Sequence, residues 1–362
     1  MCGAEMMQAN LTATTFRRVA TVSGRNVCGL GQGIAMVSET MSRVQLPPLP
    51  PGRLPAVDWG RLALAMVVVV GHAGLFKDVH IPTHAGFANG FARIVVPFFM
   101  IVSGYFFDSA MRRGPSVWAA GVLRLYLFWT AVFLPLVVLI GDFSFAKLGF
   151  YIVTGYAHLW YLPALLGAGL ILWVVRDWTS ARIFRLALGL FVTGFTVQYV
   201  LNYLVGFDRL THHNGWIVLL RNFVFFGFPY MALGYLLRRG TVLNGLGTPA
   251  LLALLALGAV VMAGEVWLNY HFLILAGYFD LIAGAFLVTP VLFLLLTRVR
   301  GLPGGVWLAP LSAAIYFIHP IFVYPLEHWV GWEPMLRAPV SLAASVIASY
   351  LLLKFNKLVP VI

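Results

Sequence analysis

Charge is scarce in this chain. Only 10% of its 362 residues are charged, against roughly a quarter in a soluble domain, and 61% are hydrophobic. That shortage excludes an ordinary soluble fold and leaves a polytopic membrane protein. Cysteine is almost absent too. Cys2 and Cys28 are the only two, both in the N-terminal tail. This excludes a disulfide framework and any thiol-based metal site, and no metal is expected. No internal repeat is evident, which counts against transporters built from inverted halves. No N-terminal stretch is apolar enough for the core of a signal peptide.

The apolar runs that remain are about twenty residues long and do not alternate, so they predict helices rather than a barrel. Lipid requires every backbone polar group to be satisfied inside the element, which an all-α bundle achieves. Ten spans are expected, at about 56–76, 86–107, 116–140, 158–175, 183–205, 216–237, 248–264, 271–296, 305–326 and 338–353. Residues 1–55 read as a disordered cytoplasmic tail ending in the stiff segment LPPLPPGRLP (Leu46–Pro55), and 56–362 as the membrane domain. A true start at Met36 or Met41 is the other reading of that tail.

The net charge of +12 does not imply nucleic-acid binding, because the cations are dispersed instead of clustered with aromatics. They follow topology. With the N-terminus in the cytoplasm, the inside loops and C-terminus hold Arg112, Arg113, Arg176, Arg182, Arg185, Arg238, Arg239, Arg298, Arg300, Lys354 and Lys357. The outside loops hold only Lys77, Lys147, Arg209 and Arg337. Both termini are therefore expected inside.

Ionisable residues within apolar spans are costly and point to function. Arg61 and His72 are eleven residues apart, on nearly one helix face and about 16 Å apart along the axis. Asp58, three residues before Arg61, is placed to neutralise it. Topology puts His72, Arg93, His158 and His319 all in the outer half. Arg124 and Arg221 read as braces or snorkelling residues. Glu327 and His328 read as part of a solvated outer loop. VPFFMIVSGYFF (Val96–Phe107) places Pro97, Ser103 and Gly104 in one helix, HLWYLPALL (His158–Leu166) puts His, Trp and Tyr at the membrane boundary, and LSAAIYFIHPIF (Leu311–Phe322) sets Ser312, Tyr316 and His319 on one polar stripe.

These segments, in this order, resemble the membrane acyltransferase-3 family of bacterial surface-glycan O-acyltransferases. The matching residues are Asp58, Arg61 and His72; Arg93 ahead of Pro97–Tyr105; His158–Pro163; and Ser312, Tyr316 and His319. The resemblance covers residues 56 to about 353 and has no appended esterase-like domain. It implies transfer of an acyl group, most simply acetyl, from cytoplasmic acetyl-CoA or another acyl-CoA to a sugar hydroxyl. The acceptor would be an exopolysaccharide, an O-antigen or a lipid-linked oligosaccharide at the inner membrane, with polysaccharide synthesis machinery as a possible partner.

On that resemblance His72 is the expected general base, with Asp58 and Arg61 in the catalytic set. Arg61 and Arg124 would bind the donor. Arg93, Ser103, His158, Trp160, Tyr316 and His319 would bind the acceptor or the developing oxyanion. Two other readings are a transporter or flippase, with these groups lining a path, and a non-catalytic scaffold.

Overall fold

A computed structural model describes residues 53–140, 144–204, 218–243, 245–272 and 279–355. The expectations for the N-terminal tail, with Cys2 and Cys28, and for Arg209 and Lys357 lie outside them. Among the described residues there is no β-strand. Thirteen helices concern the argument. They are α1 (Pro55–His72), α2 (Ile81–Ala88), α3 (Val95–Tyr105), α4 (Pro115–Ile140), α5 (Phe145–Thr154), α6 (Tyr161–Val175), α7 (Ser180–Leu204), α8 (Phe228–Arg238), α9 (Thr248–Phe272), α10 (Ala283–Arg298), α11 (Leu308–Ile318), α12 (Pro320–His328) and α13 (Pro334–Phe355). Among the described residues, seven helical stretches are long and apolar enough to cross a membrane.

Each of the ten expected spans overlaps helix in its described residues, and three are interrupted. The second is α2, a 3₁₀ turn at Phe91–Ile94, and α3. The sixth opens with a π-turn, Phe223–Gly227, whose N–H groups at Val224 and Phe225 donate to the Asn222 side chain at 2.8 and 2.9 Å. The ninth breaks between α11 and α12 at His319–Pro320, where proline offers no N–H to continue the ladder. Two boundaries differ most from expectation. The seventh span runs on to Phe272, and α10 begins only at Ala283. The sequence between them, 273–282, is apolar except for Asp280, so periodicity gave no boundary there. Glu327 and His328 close α12 and are not loop residues, and Glu327 pairs with Arg337 at 3.4 Å. Arg337 is buried, donates from Nε to the Ala73 carbonyl at 3.1 Å, and so satisfies the end of α1.

Small residues set the closest helix contacts. A Cβ at Gly104 on α3 would sit 1.8 Å from the Met231 carbonyl oxygen of α8, and one at Gly234 on α8 would sit 2.0 Å from that of Ile101. The two backbones therefore touch through reciprocal glycines. Packing of α1 along α11 is what assembles the site. There the buried Ser312 hydroxyl donates to the Arg61 carbonyl at 3.0 Å and fixes the register of the pair.

Candidate active site

One helix step beyond that hydrogen bond, α11 presents Tyr316 and then its C-cap, His319. The His319 ring centre lies 5.0 Å from that of His72 at the end of α1, and 5.0 Å from that of His158. His158 belongs to the 3₁₀ turn Ala157–Trp160, which follows Gly155 at φ +91°. A Cβ at Gly155 would come within 2.4 Å of the Trp160 nitrogen, so only glycine allows the chain to fold back there. Tyr316 joins the two elements by donating its hydroxyl to the His158 carbonyl at 3.1 Å.

The three imidazoles are held differently. His319 is fully buried. Its Nδ1 is 2.7 Å from the Tyr316 carbonyl, which can only accept, so Nδ1 carries the proton and Nε2 presents a lone pair. His158 is 3% exposed, and neither ring nitrogen has a hydrogen-bond partner. His72 alone of the three has an exposed side chain, and the surface it exposes lines a cavity of about 500 Å³. That volume falls within the range of small-molecule sites. Other lining residues are Arg93, His158, Trp160, Arg221, Asp280 and Tyr316. Among the described residues, no group of three or more His, Cys, Asp or Glu is arranged to hold a metal ion.

The cavity's charges converge on one buried carboxylate. Arg221 reaches Asp280 through Nε at 2.5 Å and Nη2 at 3.1 Å, and Arg93 pairs with the same carboxylate through Nη1. Arg93 also donates to the Asn89 side chain at 2.9 Å. Asp280 is aimed by Gln198, whose carbonyl accepts from the backbone N–H groups of Asp280 and Leu281 at 2.8 and 2.9 Å. Its amide returns a hydrogen bond to the Leu281 carbonyl at 2.8 Å. A buried carboxylate is tolerable only when paired and hydrogen-bonded in this way. The Arg221 guanidinium also lies 5.6 Å from the centre of the Trp160 ring.

A second cavity, of about 550 Å³, opens beside the other end of α1. Its lining includes Arg53, Asp58, Tyr105, Asp108, Arg112 and Arg238. The Arg238 guanidinium stands 5.3 Å from the Tyr105 ring centre. Between the two cavities along α1 lies Arg61. It is 3.7 Å from Asp58, and its Nε is buried without a hydrogen-bond partner. At similar height are the rings of Phe99, Tyr161 and Tyr316, with Phe99 and Tyr161 each 5.6 Å from Tyr316.

The structure therefore brings together His72, Arg93, His158, Trp160 and Tyr316 on one cavity, with His319 behind the two histidines. It leaves others apart. Arg61 lines neither of these two cavities. Ser103 bonds to the Phe99 carbonyl at 2.9 Å and approaches the Tyr161 hydroxyl at 3.4 Å, also away from both. Arg124 is exposed on α4 and lines neither cavity, in keeping with an arginine in an apolar run that reaches the bundle surface. Asp280, Gln198 and the cations of the second cavity were not expected in a site. Asp280 did carry a signal, as an acid in an apolar run.

The sequence profile described as an acyltransferase domain matches residues 54–354. The chain belongs to the membrane acyltransferase-3 family. Among curated proteins it is 24% identical over 322 residues to the serine/alanine racemase of Enterococcus gallinarum, a match that covers 82% of this chain and 43% of that protein. The chain thus spans less than half the length of that relative. No solved structure matches.

Proposed function

We propose that this acyltransferase-family membrane protein takes an acyl group from cytoplasmic acyl-CoA and esterifies a sugar hydroxyl of a cell-surface glycan. Ten crossings with both termini in the cytoplasm, supported by the distribution of cations between loops, put the Arg238 cavity at the inner face and the His72 cavity in the outer half. The observation that carries the reading is that one helix, α1, borders a cation-lined cavity at one end and ends in an accessible histidine at the other.

Arg53, Arg112 and Arg238 suit the phosphates of the donor. The pantetheine arm would run past Arg61 and the Phe99–Tyr161–Tyr316 cluster, a distance of about 15 Å along α1. His72 takes the proton of the acceptor hydroxyl as its oxygen attacks the thioester carbonyl. The carbon–sulfur bond breaks, the ester forms, and the thiolate leaves with the proton returned to it. His158, which lines the cavity, suits contact with the reacting groups, and His319 packs behind it against His72. The Arg93–Asp280–Arg221 group would fix the sugar.

Membrane vesicles supplied with acetyl-CoA labelled in the acetyl group test this. Label should appear in ester linkage on the glycan, and mass spectrometry of glycan from a deletion strain and its complement should identify acyl group and acceptor. A second reading is that the bundle moves a glycan or small polar substrate, with the Arg and His groups of the His72 cavity lining its path. Uptake without any acylation in wild-type vesicles, unchanged in His72→Ala, would replace the enzyme reading with that one.

A further inference from the structure

Glu265 is the one acid in α9, on a helix whose neighbouring Ala263, Gly264, Trp267 and Leu268 are exposed. An acid in an apolar span is costly, and the packing of α9 on α10 does not call for one. Glycines already bring these two helices together. A Cβ at Gly284 would sit 2.3 Å from the Met262 Cα, and one at Gly258 would sit 2.9 Å from the Val288 side chain. The Glu265 carboxylate has two partners. One oxygen accepts from the Gly284 N–H at 3.2 Å, and the other from the Tyr199 hydroxyl at 3.1 Å. Gly284 is in the first turn of α10, whose own N-cap residue, Ile282, makes no side-chain capping bond. Glu265 therefore caps α10 from a neighbouring helix, where an acid also complements the helix dipole.

Tyr199 adjoins Gln198 in α7, and its ring lies 5.4 Å from that of Phe279. The segment Phe279–Gly284 is thus held along its length. The Tyr199 ring packs on Phe279, the Gln198 side chain takes the N–H groups of Asp280 and Leu281, and Glu265 takes that of Gly284. Asp280, the carboxylate that both cavity arginines share, sits inside this hold. Glu265 itself lines neither cavity. We infer that Glu265 is a positioning residue for the His72 cavity: by accepting hydrogen bonds from the start of α10 and from Tyr199, it sets Asp280 and, through Asp280, Arg93 and Arg221. That this placement serves acceptor binding rests on the acyltransferase reading.

Arginine modification by phenylglyoxal, mapped by mass spectrometry on the full-length protein in nanodiscs, reads this hold, because a guanidinium engaged by a carboxylate is shielded from the reagent. Glu265→Leu should raise modification of Arg93 and Arg221 about fivefold or more. Glu265→Gln, whose amide oxygen can still accept from Gly284, should stay within about twofold of wild type. Arg337, buried and paired with Glu327, should stay unmodified throughout. Should Glu265→Leu fail to fold, Tyr199→Phe, which keeps the ring and removes the hydroxyl, should raise the same two sites about twofold. Modification of Arg93 and Arg221 that stays at the wild-type level, or rises only together with Arg337, would overturn the inference. So would a rise in Glu265→Gln as large as in Glu265→Leu. In vesicles, Glu265→Leu should raise KM for de-O-acylated glycan from the deletion strain about fivefold and leave KM for acetyl-CoA unchanged, and equal changes in both would overturn the link to the acceptor. Arginine modification needs no acyl transfer. A wild-type protein that acylates nothing would therefore remove the acyltransferase reading and leave the positioning of Asp280 to be judged on modification alone.

Discussion

The two cavities along α1 hold their charges in opposite ways. In the His72 cavity, Asp280 is buried, takes both arginines, and is itself aimed by Gln198. In the Arg238 cavity, Arg53, Asp108, Arg112 and Arg238 are all exposed, beside helix ends and on short turns. The first arrangement is fixed before any ligand arrives, which suits a step that depends on geometry. The second is solvated and adaptable, which suits recognition of a phosphate-rich group by charge. On the proposed function, meeting a water-soluble donor at one cavity and excluding water from its thioester at the other calls for both.

The comparison can be broken first at His72. His72→Gln should reduce acyl transfer by about 10²- to 10⁴-fold, the usual contribution of a general base, while donor binding measured with labelled acyl-CoA stays near wild type. Retention of more than a tenth of the transfer would remove the base from this cavity. Next, Asp280→Asn removes the buried charge that two partly buried guanidiniums share. Breaking a buried pair costs about 3–5 kcal/mol, so thermal unfolding in detergent should fall by many degrees, with activity lost alongside. An unchanged melting profile would show that the carboxylate does not organise the cavity.

At the other cavity the effects should be smaller and kinetic. Arg112→Gln or Arg238→Gln should raise KM for acyl-CoA about tenfold with kcat little changed, the loss of one charge-assisted contact of ~1.5 kcal/mol. Added salt should raise the wild-type KM in the same direction. A fall in kcat at constant KM would erase the division between the two cavities. Smallest of all, Ser312→Ala should cost about 1 kcal/mol of stability, one net hydrogen bond between α1 and α11, read as a modest shift in unfolding temperature.

Much of this was legible in sequence, for identifiable reasons. Long apolar runs located the helices, and expensive polar groups inside them located His72, Arg93, His158, Tyr316 and His319. The stripe of Ser312, Tyr316 and His319 proved to be the seam where α11 meets α1. Asp280 could not be given a role, because its partners lie 187 and 59 residues away and leave no periodic trace. Gln198, 82 residues from Asp280, is equally silent. Arg124 lines neither cavity, and spacing alone does not distinguish a lipid-facing from a buried face. The breaks at Gly90 and Pro320 carried the turn residues that explain them, but nothing local said that Arg93 and His319 would be turned inward there.

The reciprocal glycines of α3 and α8 constrain how this protein can move. α3 reaches from Val96 and Pro97 on the His72 cavity to Tyr105 on the Arg238 cavity. With Gly104 and Gly234 set backbone against backbone, neither helix can slide past the other without first separating. The pair behaves as a rigid strut that runs the full height between the two chambers. Any rocking that opened one chamber while closing the other would have to carry that strut as a single body, with its pivot elsewhere in the bundle.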